Sequence, residues 1–275
     1  MAQSVNKYLR LFRLGNCFLG SVAFLITCFI AAGWDVKDSA TEVVLAFFVV
    51  FAFIAGGNSL NDYIDVEIDK TAHPERPLVT GELSRRTGLW CGILGLAAAI
   101  VLALFINIIS VLVVVIAVIL MVAYEVLLKQ RGFVGNVDIA VLTGMVFIFG
   151  GAVVDDFSKV WVLGLLAALV SIGREIAKDI EDQESDEGER KTLPMMIGAR
   201  KAAAVSAAFF VAGPALSFIP LINDTFGVLY LTVVLADIIF IYCAVTVFKD
   251  AHKAEKFAKV AMFAALIAFV LGVVI

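Results

Sequence analysis

Six aspartates in two sets of three are the residues of this chain best placed to do chemistry. Asp62, Asp65 and Asp69, in the segment NDYIDVEIDK (61–70), stand at i, i+3 and i+7. Asp179, Asp182 and Asp186, in KDIEDQESD (178–186), repeat that spacing 117 positions later; Pro77 and Gly81 are matched by Pro194 and Gly198 at the same offset. On a helix this spacing puts the three carboxylates of a set on one face. Stacked in that way they repel one another and raise each other's pKa unless a cation lies among them. Mg²⁺ answers that need, since it takes oxygen ligands, often one or two carboxylates together with the phosphates of a substrate. Two opposed sets could hold two or more Mg²⁺ ions and clamp a diphosphate between them. Basic residues interleave with the acids: Lys70 and Arg76 after the first set, Arg174 and Lys178 around the second, then Arg190 and Lys191. They suit phosphate oxygens that the metal leaves uncoordinated.

The elements that must carry these acids are apolar. Of 275 residues 62% are hydrophobic and 17% charged, against about 25% charged in a soluble domain. Runs long enough to cross a bilayer recur from end to end, which predicts an all-α polytopic membrane protein. The expected spans are 15–33, 43–60, 89–106, 109–128, 138–154, 160–178, 202–222, 226–248 and 257–275, nine in all. Lys7, Arg10 and Arg13 ahead of the run Cys17 to Ala32 resemble the start of a signal peptide, but with eight further spans and no convincing cleavage site the run reads as the first transmembrane helix. With the N-terminus cytoplasmic, 19 of the 21 Lys and Arg residues fall inside and only Lys37 and Lys159 outside. The positive-inside rule therefore places both acidic sets, and the longest loops, on the cytoplasmic face.

An offset that spans four helices keeps both halves pointing the same way, a parallel repeat about an axis near the membrane normal. Residues 1–275 then form one domain, with halves of approximately 15–130 and 135–250 around a central cavity and a ninth helix left over. Leu, Val, Ile and 22 Phe residues would wall that cavity, which suits a long hydrocarbon. A diphosphate head and an isoprenoid tail make the inferred substrate. Mg²⁺ stabilises charge on departing diphosphate; an allylic C–O bond breaks toward a carbocation, and a site sunk in the bilayer keeps out the water that would quench it. Cys17, Cys28, Cys91 and Cys243 stand singly in apolar segments and read as small buried hydrophobes, and two histidines make no zinc site. Nothing in the pattern points to nucleic acid, and it does not set an oligomeric state.

NDYIDVEIDK resembles the NDxxDxxxD motif of the UbiA-type intramembrane prenyltransferases, and DIEDQESD resembles their second, DxxDxxxD. The likeness covers nearly the whole chain. HPERPLVTGELS (73–84) and REIAKDIEDQESDEGERKTLP (174–194) look like the archaeal branch of that family. Enzymes of that branch move a geranylgeranyl group from its diphosphate to geranylgeranylglyceryl phosphate, making the second ether bond of archaeal lipids. What the resemblance implies is that Asn61, Asp65, Asp69, Asp179, Asp182 and Asp186 hold the Mg²⁺–diphosphate, with Asp62 beside them. Lys70, Arg76, Lys178 and Lys129 would meet the diphosphate. The family often has Tyr and Lys four apart where this chain has Tyr124 and Lys129, five apart; the implied roles are Tyr near the cation and Lys on a phosphate. Arg13 and Asn16 lie one turn apart at the start of span one, where similar enzymes place an Asn by the active site. Arg13, Lys129 and Arg131 could bind a phosphorylated acceptor.

Other positions read more plainly. Asn136 and Asp138 suit a helix cap, Pro214 and Pro220 a kinked span, and His73 a loop. Asp237, alone in span eight, suits a polar pair within the bundle as well as a functional site. Lys249, Lys253, Lys256 and Lys259 suit a connector facing lipid headgroups. Two alternatives stay open: an aromatic acceptor from quinone or porphyrin chemistry, and a transporter or cation channel. The acids lie at one face only, which disfavours a conduit.

Overall fold

The computed structural model describes residues 2–183 and 191–274, and every one of its regular elements is helical. Eight segments are long and apolar enough to cross a membrane. The first, Leu14–Ile64, runs 51 residues, about twice what a bilayer needs. It comprises α2 (Leu14–Ala32) and α3 (Ala40–Ile64), separated by a tight 3₁₀ segment, Gly33–Ser39. Gly33 at φ 59° supplies the left-handed step that opens this reversal, and α3 returns alongside α2.

Seven more segments follow: α5 (Arg85–Ala103), α6 (Ile108–Ala123) with a π-turn (Tyr124–Leu128), α7 (Phe133–Val154), α8 (Val160–Glu181), α10 (Ala199–Leu216) with short α11 (Ile219–Ile222), α12 (Val233–Thr246) behind a 3₁₀ turn (Val228–Thr232), and α13 (Ala251–Val274). Two short helices complete the count: α4 (Val66–Ala72), which carries Asp69 of the first acidic segment, and α9 (Leu193–Ile197), after the second. The expected kinked span at Pro214 and Pro220 is two helices: Pro214 lies inside α10, and Pro220 occupies the first turn of α11, where its missing N–H costs nothing.

Small residues let the helices approach closely, as lipid-embedded packing favours. A Cβ on Gly95 would stand 2.7 Å from Gly56 Cα, so α3 and α5 touch backbone to backbone. One on Gly144 would stand 2.6 Å from the Gly164 carbonyl oxygen, and α7 and α8 meet in the same way. The four cysteines are unpaired, three of them buried.

The chain opens on an amphipathic helix that hydropathy alone does not separate from the first span, α1 (Ala2–Phe12). Its Leu11 is buried with Val66, Leu78 and Leu83. Its Arg10 pairs with Glu82 in the loop after α4 and holds that carboxyl below the usual range. Arg13 then takes a left-handed conformation (φ 52°, ψ 60°) between α1 and α2. It is the junction residue and caps the first turn of α2, its carbonyl accepting from the Asn16 and Cys17 N–H groups at 2.8 and 3.2 Å, and Asn16 is exposed.

Candidate functional site

The first acidic segment bends where its sequence reads as continuous helix. α3 stops at Ile64, Asp65 takes φ −86°, ψ 7°, and α4 resumes at Val66. The hydrogen-bond ladder survives the bend: the Asp65 N–H donates to the Asn61 carbonyl at 2.9 Å, and the Asp69 N–H to the Asp65 carbonyl at 2.8 Å. The turn lets Val66 join Leu11, Leu78 and Leu83 in a small core. The three carboxylates therefore do not share one face of one straight helix.

All three are buried, and protein cations answer their charge. Asp62, 1% exposed, accepts from the Arg13 guanidinium at 2.5 Å and lies 3.2 Å from that of Arg76. Arg76 also pairs with Asp69. Lys129 Nζ, its side chain 8% exposed, pairs with Asp65 and lies 3.1 Å from Glu125. Asn61 Nδ2 donates to Asp65 at 3.0 Å and to both oxygens of Glu125 at 3.2 and 3.1 Å, while its Oδ1 stands 3.5 Å from Arg13. Residues from the α1–α2 junction, α3, α4, the 73–84 loop and the π-turn thus converge on one charged cluster at the end of the bundle.

The π-turn explains how Lys129 reaches it. At about 100° per residue, an α-helix would set residues five apart roughly 140° from each other. Here the Lys129 N–H donates to the Tyr124 carbonyl at 2.9 Å, an i→i+5 bond, so positions 124 and 129 return to one face. Such turns inside α-helices gather at functional sites. Glu125 was not anticipated from the sequence. Its signal is faint: one acid at the end of an apolar run, four residues before a lysine.

The second segment closes its helix with the same backbone. Asp182 ends α8 at φ −83°, ψ 4°, and its N–H donates to the Lys178 carbonyl at 2.9 Å. Gly81 and Gly198, the matched glycines downstream, both have positive φ, 76° and 88°. Asp179 accepts from Asn136 Nδ2 at 2.8 Å. Asn136 is therefore no cap: α7 begins at Phe133, three residues earlier, and the buried carboxamide serves the acidic segment. Asp138 is buried one turn away from the helix start, and its Oδ2 has no partner among the described residues. Asp186 and Arg190 lie outside the described residues.

Other expected site residues stand apart from the cluster. Lys70 pairs with Glu67 on the exposed side of α4, at 2.5 Å, and Lys178 is exposed. Arg131 is exposed just beyond the π-turn, and His73 is an exposed loop residue 3.7 Å from Glu75. Arg174 pairs with Glu175 and reaches Glu255 of α13 at 3.4 Å.

Deeper in the bundle lies a cavity of about 340 Å³ among α2, α7, α8, α10, α12 and α13. Phe147, Val170, Phe240 and Phe263 line it, and Asp237 is its one acid. Asp237 accepts from Ser217 Oγ at 2.8 Å, and Tyr230 OH donates to the Ser217 carbonyl at 2.8 Å, so the lone acid of α12 sits in a polar trio. Val170 is twelve residues before Asp182 on α8, about 18 Å along the helix.

Among the described residues no three acidic, histidine or cysteine side chains converge as a ready metal site. The donor set still fits a hard cation in kind. Carboxylates and a carboxamide gather at one helix end, and their charge is held by cations that an arriving phosphate could draw off.

Residues 21–267 match the UbiA prenyltransferase family. A digeranylgeranylglyceryl phosphate synthase of Thermococcus kodakarensis is 38% identical over 273 residues, covering 97% of this chain and 98% of that one. A solved structure described as a digeranylgeranylglyceryl phosphate synthase in membranes superposes with a TM-score of 0.89 at 34% identity, covering 99% of both chains. A UbiA homolog from Archaeoglobus fulgidus, bound to GPP and Mg²⁺, shares the fold with a TM-score of 0.72 at 17% identity.

Proposed function

The chain belongs to the UbiA prenyltransferase family, and from that premise we propose that it transfers a geranylgeranyl group from geranylgeranyl diphosphate to geranylgeranylglyceryl phosphate. The observation that carries the acceptor is the near full-length likeness to synthases of that product, 38% identical in the case already given. The charged cluster supports the donor half. Asp65, Asp69, Asp179, Asp182 and Asp186, with Asn61 and with Asp62 behind them, are the residues that would hold Mg²⁺. When bound, the metal supplies charge stabilisation to the departing diphosphate.

The chain's own residues do the rest. Arg76 and Lys129 neutralise carboxylates in the absence of substrate, and a diphosphate offers them oxygen atoms in exchange, freeing Asp65 and Asp69. Arg13 keeps Asp62 neutralised throughout and, with Lys129 and Arg131, presents positive charge to the acceptor's phosphate. Asn16 stands one turn along, on the rim of that acceptor side. Tyr124, on the face of the π-turn that carries Lys129, stands by the allylic cation with its ring toward the charge. Lys70 and Lys178 serve the outer rim of the diphosphate. The apolar cavity beneath takes prenyl chain, and burial keeps water from the cation.

On this reading the α2–α3 reversal counts as two crossings, nine in all, arranged as two four-helix halves and a final α13. With the N-terminus inside, the cluster opens to the cytoplasm of the cell membrane. The single domain spans 1–275.

The test offers purified protein, Mg²⁺ and radiolabelled geranylgeranyl diphosphate two acceptors in separate tubes. Labelled ether lipid with geranylgeranylglyceryl phosphate, abolished by EDTA, is the expected result. Product only with 4-hydroxybenzoate would move the enzyme to aromatic acceptors and sink the acceptor assignment.

A further inference from the structure

Glu125 is buried beneath Asn61, a place the aspartate pattern gives no reason to fill with another acid. Four groups close a ring there. Asn61 Nδ2 donates to Asp65 and to Glu125, and Lys129 Nζ pairs with Asp65 and with Glu125. The ring holds two carboxylates and a single ammonium. Neutralising Lys129 takes one of them, so one carboxylate is in excess by design.

Removing a buried charge's only partner is strongly unfavourable, because the remaining charge stays desolvated. If Lys129 had Asp65 alone, a metal ion that drew Asp65 away before a diphosphate reached Lys129 would leave a buried ammonium uncompensated. Glu125 prevents that. Its two oxygens also fix the Asn61 amide, since both carboxylates of the ring take the NH₂ side and leave Oδ1 turned from them. The π-turn makes this possible. It spends one residue so that Lys129 stays in register with Tyr124, while Glu125, four before Lys129, can still reach its ammonium.

Resting on the reading that Asp65 serves a metal–diphosphate, we propose that Glu125 is a positioning residue that keeps Lys129 neutralised when Asp65 turns to the metal and sets the Asn61 amide. It touches neither substrate nor metal. Its substitution therefore changes how readily Asp65 is released, which is a change in metal dependence and not in the chemical step.

The test uses the intact protein in nanodiscs and geranylgeranyl thiodiphosphate, an analogue that does not turn over. Binding is followed by calorimetry as Mg²⁺ is raised. Glu125→Gln is expected to raise the half-saturating Mg²⁺ about tenfold, the scale seen when a group supporting a metal ligand is lost. Excess Mg²⁺ should bring analogue affinity back near that of the wild type. In a Lys129→Met background the same substitution should leave Mg²⁺ dependence unmoved, since no ammonium remains to be released. That double variant also removes the buried charge pair together, so it keeps the comparison available if Glu125→Gln alone folds poorly. An unshifted Mg²⁺ dependence in Glu125→Gln, or a binding loss that excess Mg²⁺ does not recover, overturns the proposal. A wild type that binds no analogue at any Mg²⁺ concentration overturns the parent reading, and this one with it.

Discussion

The two acidic segments share a backbone and differ in what surrounds it. Asp65 and Asp182 close their helices within 3° of one another in φ and ψ (−86°, 7° against −83°, 4°). Their side-chain partners, however, are not repeated. Asp62, in the first segment, lies between two guanidiniums, Arg13 and Arg76; its counterpart Asp179 receives a carboxamide from Asn136. The guanidiniums bring positive charge to Asp62, and the carboxamide gives Asp179 a fixed direction. The lesson is that a repeat can conserve backbone while changing partners: arginines meet the leading carboxylate of the first segment, and a buried carboxamide from α7 meets that of the second.

The largest effect should come from the residues the two segments have in common. Asp65→Asn and Asp182→Asn are each expected to cut turnover on the order of 10³-fold, the scale of losing focused charge stabilisation. Both should remain monodisperse in detergent: Glu125 still neutralises Lys129 when Asp65 is gone, and Asp182→Asn is an isosteric change at the end of α8. Full activity in either variant would break the pairing of the two ends.

Stability should separate them next. Arg76→Ala strips the ion pair from buried Asp69 and one of two from Asp62, so thermal unfolding should show a loss of about 3 kcal/mol. Lys178→Ala, at an exposed position beside the second segment, should cost less than about 0.5 kcal/mol. Equal losses would contradict the claim that Arg76 neutralises buried carboxylates of the first segment.

Smaller again is the effect of Asn136→Ala. Freed from its carboxamide, Asp179 should lose orientation, raising the donor KM about tenfold with stability little changed. At the small end, Lys70→Ala should alter donor KM by less than about twofold, because Lys70 faces Glu67 at an exposed pair. A large KM change there would bring Lys70 from the rim into the cluster.

Much of this arrangement is legible in the sequence. Apolar runs announce the helices, and the 3-then-4 aspartate spacing repeated at 117 residues marks both helix ends. What escapes is whatever depends on distant segments meeting. The bend at Asp65 follows from Val66 packing against Leu11 and Leu78, more than fifty residues before and twelve after. Asn136 looks like a cap because its run of apolar neighbours begins just after it, yet the helix extends back to Phe133. The π-turn leaves one trace, a Tyr–Lys spacing of five where four would suit an α-helix, and Glu125 another, an acid four residues before Lys129. Protein cations also stand in the first cluster, where carboxylate repulsion alone calls for a metal.

The claim that both ends hold one diphosphate is tested most directly by a crystal structure with Mn²⁺ and geranylgeranyl thiodiphosphate. The account predicts anomalous peaks at about 2.0–2.2 Å from carboxylate oxygens of both segments, Asp65 or Asp69 on one side and Asp182 on the other, with the diphosphate between them. Peaks confined to one segment, with the other's carboxylates still turned to protein partners, would contradict it.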